Sequence, residues 1–186
     1  YPLRKGKNLK SSIKRKDKII FFYSGSFFDY TGVKILLEAI ELLNEDNFEL
    51  WISGSGNDKF LKKAMKRDKR IKFYGLLSNK KLQNTYEKAD VFLNPRPLNI
   101  LINDISFPSK LFDYLAWDKP IISTCTKSLA PMYKKILHIV DDNPVSIALA
   151  MRSYLEGKKY FKHKHKKLFK KNWENEAKKF NNFLNK

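Results

Sequence analysis

Apolar residues in this chain come in short continuous runs, each closed by a turn-forming residue and followed by a stretch with helical spacing. Ile19-Ile20-Phe21-Phe22-Tyr23 opens the series and ends in Ser24-Gly25-Ser26. A run without polar alternation reads as a strand buried on both faces, and the glycine marks the turn after it. Between 32 and 43 the apolar positions are Val33, Leu36, Leu37, Ile40 and Leu43, the period of an amphipathic helix. The cycle then repeats. Residues 48–52 precede Ser53-Gly54-Ser55-Gly56 and a helix through Phe60, Leu61, Ala64 and Met65. Residues 71–74 precede Gly75 and a helix over about 79–88. Val91-Phe92-Leu93 leads to Asn94-Pro95-Arg96, a longer loop, and a helix over about 108–117. Residues 120–123 and 136–140 are predicted as two more short strands.

Six strands alternating with helices predict an α/β fold, a Rossmann-like doubly wound parallel sheet with helices on both faces. We place this domain at residues 19–158. Ligands of such sheets bind at the carboxyl ends of the strands, here 24–28, 53–57, 75–77, 94–97 and 123–126. Residues 1–18 read as a basic linker and 159–186 as basic C-terminal helices packing on the domain. Trp173, Ala177, Phe180 and Leu184 form one apolar stripe there. Such a stripe packs against a domain or lies on a membrane surface; packing is the expectation.

The net charge of +19 points at first to nucleic acid or an acidic surface, but its distribution changes that picture. Residues 1–18 carry +7 and residues 152–186 carry +9, whereas the stretch between them carries only +3. The basic ends attract lipid headgroups or other polyanions without touching the site of chemistry, or are merely solvated faces. A single cysteine, Cys125, excludes a disulfide framework and fits a reducing compartment. No apolar run reaches bilayer length, and Tyr1-Pro2-Leu3-Arg4-Lys5 has neither initiator Met nor signal-peptide core. We therefore expect a piece of a longer chain.

Candidate chemistry concentrates in 91–124. Proline is favoured in a helix's first turn, so Pro108 predicts a helix start near Phe107, and free N–H groups at that start attract anions. Lys110 adds a point charge, and Arg96 at a strand end adds a bidentate fork. Asp113, one turn further, offers acceptors to the two hydroxyls of a ribose. Singly, these are a solvated lysine, a surface ion pair and a helix-face carboxylate; together they suit a nucleoside diphosphate.

The ordered set Tyr-Ser-Gly-Ser (23–26), Ile-Ser-Gly-Ser-Gly (52–56), Phe-Tyr-Gly (73–75), Ala-Asp-Val-Phe-Leu-Asn-Pro-Arg (89–96), Phe-Pro-Ser-Lys with Asp-Tyr-Leu-Ala (107–116) and Lys-Pro-Ile-Ile (119–122) resembles the C-terminal, donor-binding domain of GT-B glycosyltransferases. The similarity is to family 4, or group 1, in its branch with a Phe-Pro-Ser-Lys motif. The resemblance implies that Gly25 and Ser26 lie against the donor phosphates. It implies that Arg96 and Lys110, with Ser106, Phe107, Pro108 and Ser109, hold the diphosphate or nearby sugar hydroxyls. Leu76 and Leu77 would present backbone groups to the base, and Asp113 would bind ribose in place of the second of two family glutamates. Two positions depart from the pattern. Ile105 stands where the first glutamate is usual, so Asp104 beside it enters as a candidate through a shifted loop. Ser26 and Thr31 occupy the places of a usual basic pair.

The expected chemistry is transfer from a UDP- or GDP-type sugar, with Arg96, Lys110 and Asp104 as catalytic candidates and cations stabilising the leaving diphosphate. The resemblance implies retention of anomeric configuration without a metal or other cofactor. Asp141-Asp142 reads as a polar turn, and His163 and His165 point to different helix faces. The function expected is the donor domain of a hexosyltransferase making a cell-surface polysaccharide or glycolipid, cytoplasmic and peripheral at the inner membrane face. Its acceptor domain, normally N-terminal, is missing, so the isolated domain is expected to be inactive. Two alternatives stay open: a separate donor-binding subunit that needs a partner chain, and, less favoured, a polyanion- or nucleic-acid-binding α/β protein.

Overall fold

The computed structural model describes residues 18–157; all but Lys18 of the basic linker expected over 1–18, and the whole tail expected over 159–186, lie outside the described residues. Six parallel strands form one sheet: β1 Ile19–Ser24, β2 Phe48–Ser53, β3 Ile71–Phe73, β4 Val91–Asn94, β5 Ile121–Thr124 and β6 His138–Val140. Their order is β3-β2-β1-β4-β5-β6. The chain thus runs outward from β1 in one direction, returns, and runs outward in the other. That reversal opens a crevice between the carboxyl ends of β1 and β4.

Among the described residues six α-helices lie in the connections, α1 Val33–Glu41, α2 Lys59–Arg67, α3 Asn79–Lys88, α4 Leu101–Ile105, α5 Lys110–Leu115 and α6 Pro131–Lys134, and α7 Pro144–Leu155 follows β6. Strand alternation sorts the side chains between two cores. Phe21 and Tyr23 of β1 face the layer of α1, α2 and α7 with Leu36, Ile40, Leu61 and Met151. Phe22, between them, faces the layer of α3 and α5 with Tyr86, Phe92, Leu111 and Tyr114. Each such fully buried side chain contributes roughly 1.5–3 kcal/mol, which explains why apolar residues run through β1 without a polar break.

Three features depart from the sequence expectation. The loop after β4 contains α4, five residues that bury Asn103 and leave Leu101 and Ile105 exposed. The helix expected near Phe107 begins at Lys110, after a turn in which the Leu111 N–H donates to the Pro108 carbonyl (2.9 Å). The third is a pair of helices outside the predicted elements, α6 and α7; α7 buries Ile147, Ala148, Ala150, Met151, Ser153 and Tyr154 against α1 and the sheet. Its apolar residues surround the helix and leave no amphipathic stripe to find.

Two side chains tie helix ends down. Arg70 donates to Asp68 and to the carbonyls of Ile40, Leu43 and Glu45 beyond α1. Lys119 donates to the carbonyls of Tyr86, Glu87 and Ala89 at the end of α3. Each places positive charge on the carbonyls where a helix dipole is negative.

Candidate functional site

A cleft of about 450 Å³ opens at the carboxyl ends of β1, β2 and β4. Ser24, Gly25 and Ser26 form one wall and Ser53, Gly54 and Ser55 continue it. Leu76, Leu77, Leu82 and Tyr86 bound the side toward α3, and Arg96, Lys110 and Asp113 face them from beyond β4. The walls approach closely because two glycines meet: a Cβ on Gly54, where φ is 152°, would stand 1.7 Å from the Gly25 carbonyl oxygen. A second depression of about 500 Å³ lies at the opposite end of the sheet, beside Arg70 and Asp68. Its Arg70 is engaged by Asp68 and three carbonyls, and its other cations, Arg67 and Lys69, stand among the carboxylates Glu41, Asp46 and Asp68, so the smaller cleft carries the unassigned chemistry.

The cleft's positive charge is placed by hydrogen bonds from outside it. Arg96 is 8% exposed and donates through Nη1 to Asn103 Oδ1 and to the Ser106 carbonyl, both at 3.1 Å. Asn103 in turn donates to the carbonyls of Tyr30 (2.8 Å) and Pro97 (2.9 Å), joining α4, the β1–α1 loop and the residue after Arg96. Lys110 is set by the first turn of α5. That helix is pinned to β1 by Tyr114, whose hydroxyl oxygen accepts the Ser24 N–H at 2.9 Å while its ring stacks on Phe92 at 4.6 Å. The Lys110 ammonium is buried without a hydrogen-bond partner among the described residues, 4.2 Å from the centre of the Tyr23 ring.

Neither cation forms an ion pair with a carboxylate among the described residues. Buried charges are normally paired. Burial, with Arg96 nearby, pulls the Lys110 ammonium from 10.5 down to about 7. Burial also lowers Arg96 from its usual value. On the rim, desolvation raises the Asp113 carboxyl above the ordinary aspartate value. Two desolvated cations beside a carboxylate form a site for an anion that also carries hydroxyl groups.

Of the residues singled out from the sequence, Gly25, Ser26, Leu76, Leu77, Arg96, Ser109, Lys110 and Asp113 come together on this cleft. Asp104, Ser106, Phe107 and Pro108 are not among its lining. The Asp104 carboxylate is held by Lys127 at 2.6 Å. The Ser106 N–H, expected to face a phosphate, donates instead to the Ile102 carbonyl at 2.9 Å, because α4 supplies that acceptor. Phe107 packs on Phe112 and Tyr133, and Pro108 is buried. With α5 only six residues long and its first turn preceded by a bend, side-chain cations rather than a long helix dipole dominate the field.

Sequence reasoning missed Asn103, Tyr23, Leu82 and Tyr86. The last two follow from the helical spacing of α3 once the cleft is known. A lone asparagine in an unassigned loop gave no signal.

No curated protein matches the chain at the sequence level. Among solved structures the fold is similar to the apo form of the lipopolysaccharide outer core galactosyltransferase WaaB, with 17% identity and a TM-score of 0.65 over 81% of this chain and 43% of that one. It is also similar to the C-terminal domain of the group 1 glycosyl transferase LpcC from Francisella tularensis, with 16% identity and a TM-score of 0.59 over 75% of each chain. A third similarity is to Anabaena Alr3699/HepE in complex with UDP and glucose, with 11% identity and a TM-score of 0.59 over 75% of this chain and 39% of that one. The chain thus spans about two fifths of the length of WaaB and HepE, and at these identities the likeness is one of fold, that of a GT-B half. The family model for group 1 glycosyl transferases matches residues 18–157, all of the described fold, and the chain belongs to that family.

Proposed function

We propose that this chain is the nucleotide-sugar-binding half of a retaining, metal-independent hexosyltransferase that builds a cell-surface polysaccharide or glycolipid. One observation carries the reading: two buried cations without carboxylate partners among the described residues, Arg96 and Lys110, face one cleft with Asp113 beside them. A donor diphosphate supplies the missing anion. Its ribose places two hydroxyls toward Asp113, and its base lies toward Leu76, Leu77 and Leu82. As the glycosidic bond to the leaving diphosphate lengthens, negative charge grows on the phosphate oxygens. Lys110 and Arg96 are positioned to stabilise that charge.

We read the Phe-Pro-Ser-Lys motif as support for membership of that branch of the family, with the acceptor site on a facing domain or partner chain. No described helix is long and apolar enough to cross a membrane, and we assign the protein a peripheral place at the inner face of the cytoplasmic membrane. The domain boundary at 19–158 belongs to the same proposal.

Calorimetric titration with UDP, GDP and their hexose conjugates, with and without a chelator, tests the binding reading. HepE in complex with UDP and glucose makes UDP the first ligand to try. We expect micromolar to millimolar binding of at least one nucleotide, unchanged by chelation. Absence of binding by every nucleoside diphosphate would sink the proposal. Binding that requires a divalent metal would remove the metal-independent part.

A further inference from the structure

The two cations of the cleft are held by neutral groups: Arg96 by an amide and a carbonyl, Lys110 by an aromatic face. A carboxylate in either place would hold the cation equally well but would neutralise the charge that a diphosphate needs. We propose that Tyr23 is a positioning residue for the donor phosphates. Its ring keeps the Lys110 ammonium at the Gly25 corner of the cleft, and its hydroxyl fixes the backbone of the loop the phosphates meet. The proposal rests on the donor-binding reading above and specifies how that site is assembled.

Tyr23 is wholly buried at the penultimate position of β1. Its hydroxyl donates to the Ser26 carbonyl at 2.9 Å, and Thr31 Oγ1, which shares its hydrogen with the nearer Phe28 carbonyl (2.6 Å), lies 3.0 Å from the same Ser26 oxygen. Two hydroxyls therefore converge on one peptide of the β1–α1 loop. The Lys110 Nζ lies 4.2 Å from the ring centre, and a Cβ built on Gly25 would be only 2.6 Å from it. The ammonium is thus wedged between an aromatic floor and a glycine that has no side chain to exclude it. A cation over a ring is attracted by the ring's negative face, more strongly when desolvated, and that attraction leaves its hydrogens free to donate. Ser26 and Thr31 stand where the resemblance led us to expect a basic pair. The loop is ordered by hydroxyls instead, and the positive charge comes from α5 across the cleft.

UDP affinity of the whole chain, measured for wild type, Tyr23→Phe, Tyr23→Leu and each of these with Lys110→Met, separates the two functions of the side chain. Phenylalanine keeps the ring and loses the Ser26 contact; leucine loses both. We expect Tyr23→Phe to weaken UDP binding about threefold and Tyr23→Leu about tenfold. The step from Phe to Leu should vanish once Lys110 is methionine, because the ring then has no cation to hold. An equal step in both backgrounds means a merely structural role, and tighter binding by the Leu variant means the ring restrains Lys110; either result overturns the proposal.

A measurement needing no variant guards against misfolding. The Lys110 ε-methylene protons should show an upfield ring-current shift in the empty protein and keep it when UDP saturates the site. Loss of that shift on binding refutes the role of Tyr23 alone. Failure of the wild type to bind UDP and GDP overturns the donor-binding reading, and this role with it.

Discussion

Binding of a nucleotide sugar should draw a proton from solvent onto Lys110, and the amount follows from the ammonium's surroundings. Burial and the neighbouring Arg96 bring that group from 10.5 down to about 7. At pH 8 the empty site is then about one-tenth protonated. A diphosphate placed against the ammonium favours the charged form and returns the group to its ordinary 10.5. Uptake at pH 8 should therefore be about 0.9 proton per ligand, falling to about 0.1 at pH 6, where the lysine is already charged. Protonated enzyme is the binding form, so affinity falls as pH rises, by about fiftyfold between pH 7 and pH 9. A nucleotide sugar is the ligand to use, because both phosphates are esterified and none titrates near pH 6 as the terminal phosphate of a free nucleotide does. Calorimetry at pH 8 in buffers of different ionisation enthalpy reads the proton count directly. Lys110→Met should bind weakly, take up no proton and show no alkaline loss. A proton count near zero at pH 8 in wild type would show that the ammonium is not desolvated in the empty cleft.

The same buried charge should cost stability. The depressed pKa means that the fold disfavours charged Lys110, by up to about 5 kcal/mol. Lys110→Met should therefore be more stable than wild type below pH 7, with the gain shrinking toward pH 10.5, checked by denaturant unfolding at several pH values. Asp113→Asn should weaken ribonucleotide binding about tenfold, from loss of a charged acceptor, while leaving 2′,3′-dideoxynucleotide binding nearly unchanged; parallel titrations measure the difference. Gly54→Ala places a methyl group onto the Gly25 carbonyl and should destabilise by about 2 kcal/mol or more and abolish nucleotide binding, seen by thermal unfolding with and without UDP. Asp118 is in a left-handed conformation at φ 52°, with a buried carboxylate oxygen that has no partner among the described residues, so Asp118→Gly should raise stability by about 1 kcal/mol. A Tm no higher than wild type would contradict that.

The sheet and four of its connecting helices were legible because burial on both faces writes itself as unbroken apolar strands, while half-buried helices write a period. Val33, Leu36, Leu37 and Ile40 became the inner face of α1 as spaced. What escaped was structure without either signature. In α7, apolar residues extend round the helix, even to the exposed Val145 and Leu149, α6 is only four residues long, and α4 is a short helix held through Asn103. The cations of the site were legible as residue types at strand and helix starts. Their partners were not, since nothing in a sequence says that an amide will face Arg96 or a phenol ring will lie under Lys110. Asp104 shows the converse: a carboxylate beside the expected position is turned by α4 toward Lys127.

Cations held only by neutral groups have a consequence at the bench and in the cell. Such a cleft does not stay empty in media rich in inorganic phosphate or sulfate, because these small oxyanions occupy the same corner that a diphosphate would use. Nucleotide affinities measured in those buffers should be competitive values that weaken in proportion to buffer concentration. A cell's phosphate level would set a threshold that the sugar nucleotide must exceed before the site is loaded.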